Sequence, residues 1–479
     1  MALPLLLDDA LVATDSGFAL RVSLPWIRSM PLAAVTDLSV RVDGSPAAVT
    51  IRLEGRDVEP RALAAEQGWW FIQDRLELRG ERMLPPGAHD VSVSFELVVP
   101  YLQAGPTGPL TLPFRAERAL GLGDTASPRP HRTAGQSTVR EPEAARQGDA
   151  GDWTISASAF NWTPEVIRAE RPAADIAVGI AADGVASTIE VEAGQVWRSF
   201  PEPSDAEVDA FRERLAAAGG AVSIVGASLD DWASPTRRRT EEERLAFLVP
   251  QLRAAARAGA RGVRVPFGQP GPELLRLAQP VLDELGVVLY EEIQGQQTLD
   301  VPAVAANLEQ LVQLDDPRIR VLIDISMLMP ALPPSYLEEL RRGGVDEELV
   351  RRLETEWRAP ETHRAVIETL REGRVPPAVH TLFMNLLVRF GRSDIAELEP
   401  LLPLTSGVHL KFWDLDDTDG RVSRPIGDIG AALRRTGFAG TLTSEWGGHE
   451  WLDADPATTT RSHLDLARRA LAAASVAAR

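Results

Sequence analysis

Between Gly17 and about Tyr101, apolar and polar residues alternate in short runs: FALRVSL, LSVRVDG, VTIRLEG, WWFIQD, LELRG and HDVSVSFELVV. A period of two puts successive side chains on opposite faces of a strand, so each run predicts a strand with one buried face. DG at 43–44, EG at 54–55 and PPG at 85–87 separate the runs at hairpin spacing. This predicts an antiparallel β-sandwich domain over residues 1–105. Trp69 and Trp70 are consecutive on one run, which places one indole on each face. One of the two is therefore expected to pack against something beyond the sandwich core. Residues 106–151 are rich in Pro, Gly, Ser, Thr and charge. They predict a linker, disordered in its second half.

From residue 152 to residue 479 the texture changes. Short apolar runs, WTISASAF, STIEVEAG, AVSIVGAS, GVRVPF, GVVLYEEI, IRVLIDIS, GVHLKFWD and TLTSEW, predict strands. Between most of them lie Ala/Arg/Glu/Leu-rich stretches such as DAEVDAFRERLAAAG and EEERLAFLVPQLRAAARAG, which predict helices. Strands alternating with helices at this count and length predict a (β/α)8 TIM barrel, with an open doubly wound sheet as the alternative. No Gly-rich phosphate turn follows the first of these strands. One connection is oversized: about residues 330–405 form a mostly helical insertion, placed to shape the mouth of the barrel.

Charge narrows the partners. A formal net charge of -19 repels phosphate backbones and anionic lipid, so neither nucleic acid nor a membrane surface is expected as partner. A small molecule is expected instead. With no cysteine in the chain, thiolate metal sites and cysteine nucleophiles are excluded, and any metal must be held by His and carboxylate. No apolar run reaches the length of a membrane span and MALPLLLDDALVATDS carries no basic n-region, which predicts a cytoplasmic protein. Lys411 is the only lysine beside an abundance of arginine, which singles it out.

Catalytic groups of a TIM barrel sit where strands end and βα loops begin. Four consecutive predicted strands end in polar residues: LYEEI in Glu291 and Glu292, LIDIS in Asp324, GVHLKF in His409 and TLTSEW in Glu445. Each alone reads as a strand-end cap or ion pair. Together, three carboxylates converging on one mouth would raise each other's pKa values, a conflict that a divalent cation removes. The mixed O/N set suits Mn²⁺ first, with Mg²⁺, Co²⁺ or Zn²⁺ as alternatives. Whether Glu291 or Glu292 points inward depends on strand parity, which stays open. Lys411 lies two residues beyond His409 on the same face and is expected to share its cavity. Beside a cation its pKa should fall, suiting it to act as base or donor. Asp230, Asp231 and Arg264 close the third and fourth strands and are candidates for holding polar groups of a ligand, while His380 and His449 are candidate substrate contacts.

The strand-end Glu, Asp, His and Glu resemble the sugar phosphate isomerase/epimerase superfamily of xylose-isomerase-like barrels. The words EIQ (292–294), DIS (324–326), HLKFW (409–413) and SEW (444–446) are similar to the α subunit of bacterial C-glycoside deglycosidases. SLPWIRSMPL, QGWWFIQDRLELRG and LPPGAHDVSVSFELVVPYL resemble the β subunit of the same enzymes, so that one polypeptide would carry both. The resemblance implies Glu292, Asp324, His409 and Glu445 as metal ligands. It implies cleavage of the carbon–carbon bond between a 3-oxo sugar and an aromatic aglycone, by proton loss at C2 and elimination, and a homo-oligomeric assembly. Where the family has EIH, this chain has Gln294, which transfers no proton. The proton carriers are then expected among Lys411, Glu292 and Glu445, with Gln294, Arg264, His380, His449 and Trp446 contacting substrate. A metal-dependent sugar isomerase or epimerase, or a non-catalytic carbohydrate-binding scaffold, are the alternative readings.

Overall fold

The computed structural model describes residues 4–104, 108–123, 153–169 and 171–477. In its N-terminal part the alternating runs pair into two antiparallel sheets. One has five strands in the order Leu11–Thr14, Gly17–Ser23, Arg75–Gly80, Thr50–Leu53, Arg56–Val58. The other has four, in the order Pro109–Gly121, Ala88–Gln103, Val35–Val42, Ser45–Ala47. Alternate residues Phe18, Leu20 and Val22 of one sheet and Val91, Val93, Phe95 and Leu97 of the other are buried, which fills the space between them. Asp43 and Gly44 both take positive φ, the backbone a tight hairpin turn with right-handed twist requires.

The strand Pro109–Gly121 corrects the linker expected from residue 106. It pairs along almost the whole of Ala88–Gln103 and stacks Phe114 on Phe95 at 5.7 Å. At the sheet edge it fully buries only Pro109 and Leu120, while Leu110, Leu112, Phe114 and Ala116 are half-buried and alternate with exposed Thr111, Pro113, Arg115 and Glu117. Of the rest of the predicted linker, residues 106–107 and 124–151 lie outside the described residues.

The eight later runs form a closed parallel barrel. Its strands are β1 (Thr154–Ser158), β2 (Thr188–Glu192), β3 (Ala221–Gly226), β4 (Gly262–Pro266), β5 (Val288–Ile293), β6 (Ile319–Asp324), β7 (Thr405–Phe412) and β8 (Thr441–Trp446). The layer around it includes α1 (Ala173–Ala182), α2 (Asp205–Ala217), α3 (Glu241–Ala258), α4 (Gly271–Leu285) and α5 (Pro302–Leu314). Thr240 and Glu243 close a capping box at the start of α3, and Gly259 ends it in the left-handed conformation. Among the described residues no helix is long and apolar enough to cross a membrane.

Two structures rise over the strand C-terminal ends. Between β6 and β7 the insertion folds around its own apolar core, including Tyr336, Leu353, Phe383 and Phe390, and seats it on Trp413 after β7 and Trp451 after β8. Gly391 N donates to Ser326 O (2.8 Å), Gln296 Nε2 to Leu386 O (2.6 Å), and Ser335 Oγ to Asp414 Oδ2 (2.6 Å). The insertion is thus bonded to the loops after β5, β6 and β7, and Asn385 reaches Glu450 after β8.

The sandwich docks on the opposite side. Ser29 gives both its N–H (2.9 Å) and its hydroxyl (2.8 Å) to Gly194 O just past β2. Gln195 Nε2 donates to Ile27 O at 2.6 Å, and Arg28 pairs with Asp230 after β3 at 2.6 Å with both side chains buried. The tryptophan pair divides as strand geometry requires. Trp70 is buried and lies 6.2 Å from Phe95, while Trp69 leaves the sandwich to meet Phe200 edge-on at 5.0 Å and to stack on Phe247 at 6.0 Å.

Candidate metal centre

The ends of β5 to β8 bring Glu292, Asp324, His409 and Glu445 together, all buried, each offering a ligand atom within 4.8 Å of the others'. Parallel pairing levels them: Asp324 is in register with His409, and Lys411 with Glu445. The parity left open at β5 resolves by burial on both faces of the strand. Glu292 faces the lumen. Glu291 faces the helical layer, accepting from Gly268 N (2.6 Å) and from Asn307 Nδ2 on α5 (2.8 Å).

The cluster is held together by a dense set of charges. His409 Nδ1 lies 2.9 Å from Glu292 Oε1 and 2.5 Å from Glu445 Oε2. Burial alone would lower the His409 pKa, but Glu190, Glu445 and Glu292 outweigh it and hold the imidazole well above its usual value. Glu445 would be raised by burial, yet Lys411 and His409 hold it well below the usual carboxylate range. Asp324 goes the other way. Desolvation pushes it up to about 7, because Lys411 and His409 only partly offset burial beside two further carboxylates.

Whether these residues suit a cation is decided by atoms they leave unspent. Asp324 Oδ2, His409 Nδ1 and Glu445 Oε2 are all buried with no hydrogen-bond partner. An unsatisfied buried polar atom costs about 1–3 kcal/mol; His409 Nδ1 and Glu445 Oε2 offset part of it as an ion pair, whereas Asp324 Oδ2 has neither a hydrogen bond nor an ion pair. Oxygen and imidazole donors converging in a buried pocket match a divalent first-row ion or Mg²⁺ in number and kind.

Lys411 Nζ donates to Glu445 Oε1 at 2.9 Å, with its side chain 7% exposed. Burial would lower its pKa, but Glu445 and Asp324 prevail and raise it. The downward shift expected beside a cation is therefore not produced by the cluster itself, and Lys411 stands as an ammonium.

Two carboxylates of the site escaped the sequence reading. Glu190 and Glu192 of β2 alternate in STIEVEAG and so share the inner face, the same period-two signal that joined Lys411 to His409. Arg264 of β4 binds both. Its Nε donates to Glu190 Oε1 (2.8 Å), its Nη2 pairs with Glu192, and its Nη1 donates to Glu292 Oε2 (2.8 Å). Gly226 of β3 makes room, since an added Cβ would lie 2.1 Å from Glu192 Oε2.

The substrate contacts expected from sequence fare unevenly. Arg264 is not free for a ligand, because its guanidinium is shared among three carboxylates. Trp446 is 1% exposed and gives its indole N–H to Trp413 O at 2.7 Å, so it is a packing residue. His380 is exposed at the start of the short helix His380–Phe383, which turns Phe383 rather than the imidazole inward. Asp230 and Asp231 are taken by Arg28 and Arg244. Gln294 is half-buried at the end of β5, its backbone N–H bonded to Gln297 Oε1. His449, edge-on to Phe160 (5.1 Å) and Trp446 (5.6 Å), leaves Nε2 without a partner, and burial lowers its pKa to about 4.

No family model matches the chain. It is similar to a C-glycoside deglycosidase α subunit of Arthrobacter globiformis, 28% identical over 300 residues, which span 61% of this chain and 85% of the relative. It is also similar to a 3′-dehydrocarminate deglycosidase β subunit of a Microbacterium species, 36% identical over 103 residues, spanning 20% of this chain and 78% of the relative. Among solved structures, D-psicose 3-epimerase with D-tagatose from Clostridium cellulolyticum aligns over 66% of this chain and 99% of that one, at 14% identity and a TM-score of 0.42.

Proposed function

The chain belongs to the C-glycoside deglycosidase family, carrying α-like and β-like sequence in one polypeptide, and from that premise we propose that it is a metal-dependent lyase acting on 3-oxo glycosides. The observation that carries this is the buried cluster Glu292, Asp324, His409 and Glu445 with three unspent ligand atoms beside Lys411. These four residues would hold the ion. A divalent cation bound there supplies Lewis-acid polarisation of a carbonyl oxygen, and Mn²⁺ is the first choice.

The chain's own groups do the rest. A carboxylate of the cluster, Glu292 or Glu445, takes the proton from sugar C2, made acidic by the neighbouring ketone. The electron pair forms the C1=C2 bond as the C1–aryl bond breaks, and the aryl carbon takes up a proton. Lys411, kept charged by Glu445, is the donor. The sandwich is bonded to the loops after β2 and β3 and the insertion to those after β5 to β7, and sugar and aglycone would enter between the two.

An epimerase of oxidised sugars is favoured by one observation: Gln294 stands where the resembled family has a histidine, and Glu292 and Glu445 could move a proton off and onto a sugar carbon without a separate acid for an aglycone. Incubation with a 3-oxo C-glucoside and a 3-oxo O-glucoside in D₂O, with chelator and with Mn²⁺ added back, separates the two. Metal-dependent aglycone release is expected. Deuterium entering the sugar without aglycone release from any 3-oxo glycoside would replace the lyase by the epimerase.

A further inference from the structure

Glu190 is in none of the roles above, yet it is fully buried and bonded at both oxygens. His409 Nε2 lies 3.1 Å from Glu190 Oε1 and 3.1 Å from Oε2, while Arg264 Nε donates to Oε1 at 2.8 Å. The other ring nitrogen, Nδ1, faces Glu292 and Glu445 and has no hydrogen-bond partner. The ring is thus oriented with Nε2 toward Glu190 and Nδ1 toward the other ligand atoms, so that with an ion bound Nδ1 is the nitrogen that reaches it while Nε2–H donates to Glu190. On the far side Arg264 repeats the arrangement, engaging Glu292 Oε2 and leaving Oε1 toward the cluster.

We propose that Glu190 is a positioning residue of the metal centre: through His409 Nε2 and Arg264 it presents His409 Nδ1 and Glu292 Oε1 to the cation. The inference rests on the metal-centre reading of the proposed function. Glu190 touches neither ion nor substrate in this role. Its distance from the ligand set follows from strand order, since β2 faces β7 across the lumen rather than pairing with it. A carboxylate there spans the barrel interior and ties the metal side to the strands that carry the sandwich.

The role separates from that of bulk negative charge by comparing two substitutions. Glu190→Gln keeps an acceptor oxygen for Nε2–H and removes the charge, whereas Glu190→Leu removes both. Mn²⁺ affinity is measured on stripped protein by competition with a chelating dye, together with far-UV circular dichroism of each variant. Loss of an outer hydrogen bond to a metal-bound histidine typically costs about 10–100-fold in affinity, and that loss is expected for Glu190→Leu, with a distinctly smaller one for Glu190→Gln. A second measurement needs no variant. In Zn²⁺-loaded wild-type protein labelled with ¹⁵N-histidine, the His409 ring is expected as the Nε2–H form with a slowly exchanging proton.

Equal losses in both variants would assign the effect to charge alone and overturn the inference. A His409 ring protonated at Nδ1 in the loaded protein overturns it as well. Wild-type protein that takes up no Mn²⁺ overturns the metal-centre reading itself, whereas wild-type uptake with an unchanged Kd in a folded Glu190→Leu variant overturns only the role of Glu190.

Discussion

Replacing Arg28 by Met removes the cation that the sandwich presses into the barrel, while keeping most of the side chain's apolar stem. Arg28 lies 2.6 Å from Asp230, with side-chain exposures of 8% and 1%. At that separation and an effective dielectric constant of about 20, the gross attraction is about 6 kcal/mol, most of which only offsets desolvation of the two ions. The loss on removing one partner is set instead by the carboxylate left behind, for which about 3–5 kcal/mol is typical. Asp230 Oδ2 already has no hydrogen bond, and burial pushes this carboxyl up, with Arg239 as the other nearby cation. Its escape is to take a proton. Starting from an ordinary value of 3.8, protonation costs about 4 kcal/mol at pH 7 and about 2 kcal/mol at pH 5, at 1.4 kcal/mol per pH unit. A carboxyl whose folded pKa is raised holds a proton that the unfolded chain has released, so the deficit of the variant must grow as pH rises. The contact of Arg28 with the Tyr101 ring, 4.3 Å from its centroid, adds about 0.5–1 kcal/mol that does not depend on pH. Urea unfolding followed by tryptophan fluorescence and by far-UV circular dichroism measures both terms. Arg28→Met is expected to lose about 4 kcal/mol at pH 7 and clearly less at pH 5, and adding Asp230→Leu should restore most of the loss. A deficit under 1 kcal/mol, or one independent of pH, would refute the claim that this pair is buried between the two halves.

Lys411→Arg keeps the charge but changes the shape and puts the proton beyond use, so turnover should fall about 10²–10⁴-fold with Mn²⁺ still bound, as metal analysis would check. Gln294→His should be tolerated or raise aglycone release, and loss of metal in either variant would show that the positions are structural. A truncated chain beginning at Asp152 exposes Phe200 and Phe247 and strips Gly194 of its partner Ser29. It should melt lower and lose activity, and unchanged kinetics and Tm would make the sandwich an independent module. His463 is stacked on Phe412 at 3.8 Å and burial lowers its pKa to about 3. Since the unfolded value is 6.5, the stability it contributes is complete above pH 6.5 and is lost toward pH 3 at about 1.4 kcal/mol per pH unit. His463→Leu should therefore flatten the decline of the urea midpoint between pH 6.5 and 4, and a decline as steep as in wild type would exclude His463 as its source.

Much of the architecture is written in local periodicity. The strand runs and the helices between them report their own burial, because a parallel barrel strand covered on both faces must be apolar throughout and an outer helix must keep one polar face. Strand-end polar residues such as Asp324 and Glu445 stand out against that background, which is why the four-residue cluster is legible. The edge strand Pro109–Gly121 was passed over although Leu110, Leu112, Phe114 and Ala116 alternate along it, because Pro and Gly within and before it give the stretch the composition of a linker and, as an edge strand, it buries few side chains fully. Helix α1, AADIAVGIAA, was also passed over, since small apolar residues give it little contrast between its faces.

The tertiary structure alone decided what each polar residue faces. Glu291 and Glu292 are chemically identical neighbours, and only closure of the barrel turns one to Asn307 and the other to Arg264 and His409. Arg264, Asp230 and Trp446 look like ligand contacts along the chain, yet each is already spent on a partner that is remote in sequence. Glu190, more than two hundred residues from His409, meets it across the lumen. Sequence encodes which residues are apolar and at what period, and so the elements and their order; the pairing of polar groups depends on distances across a closed sheet, which no local pattern contains.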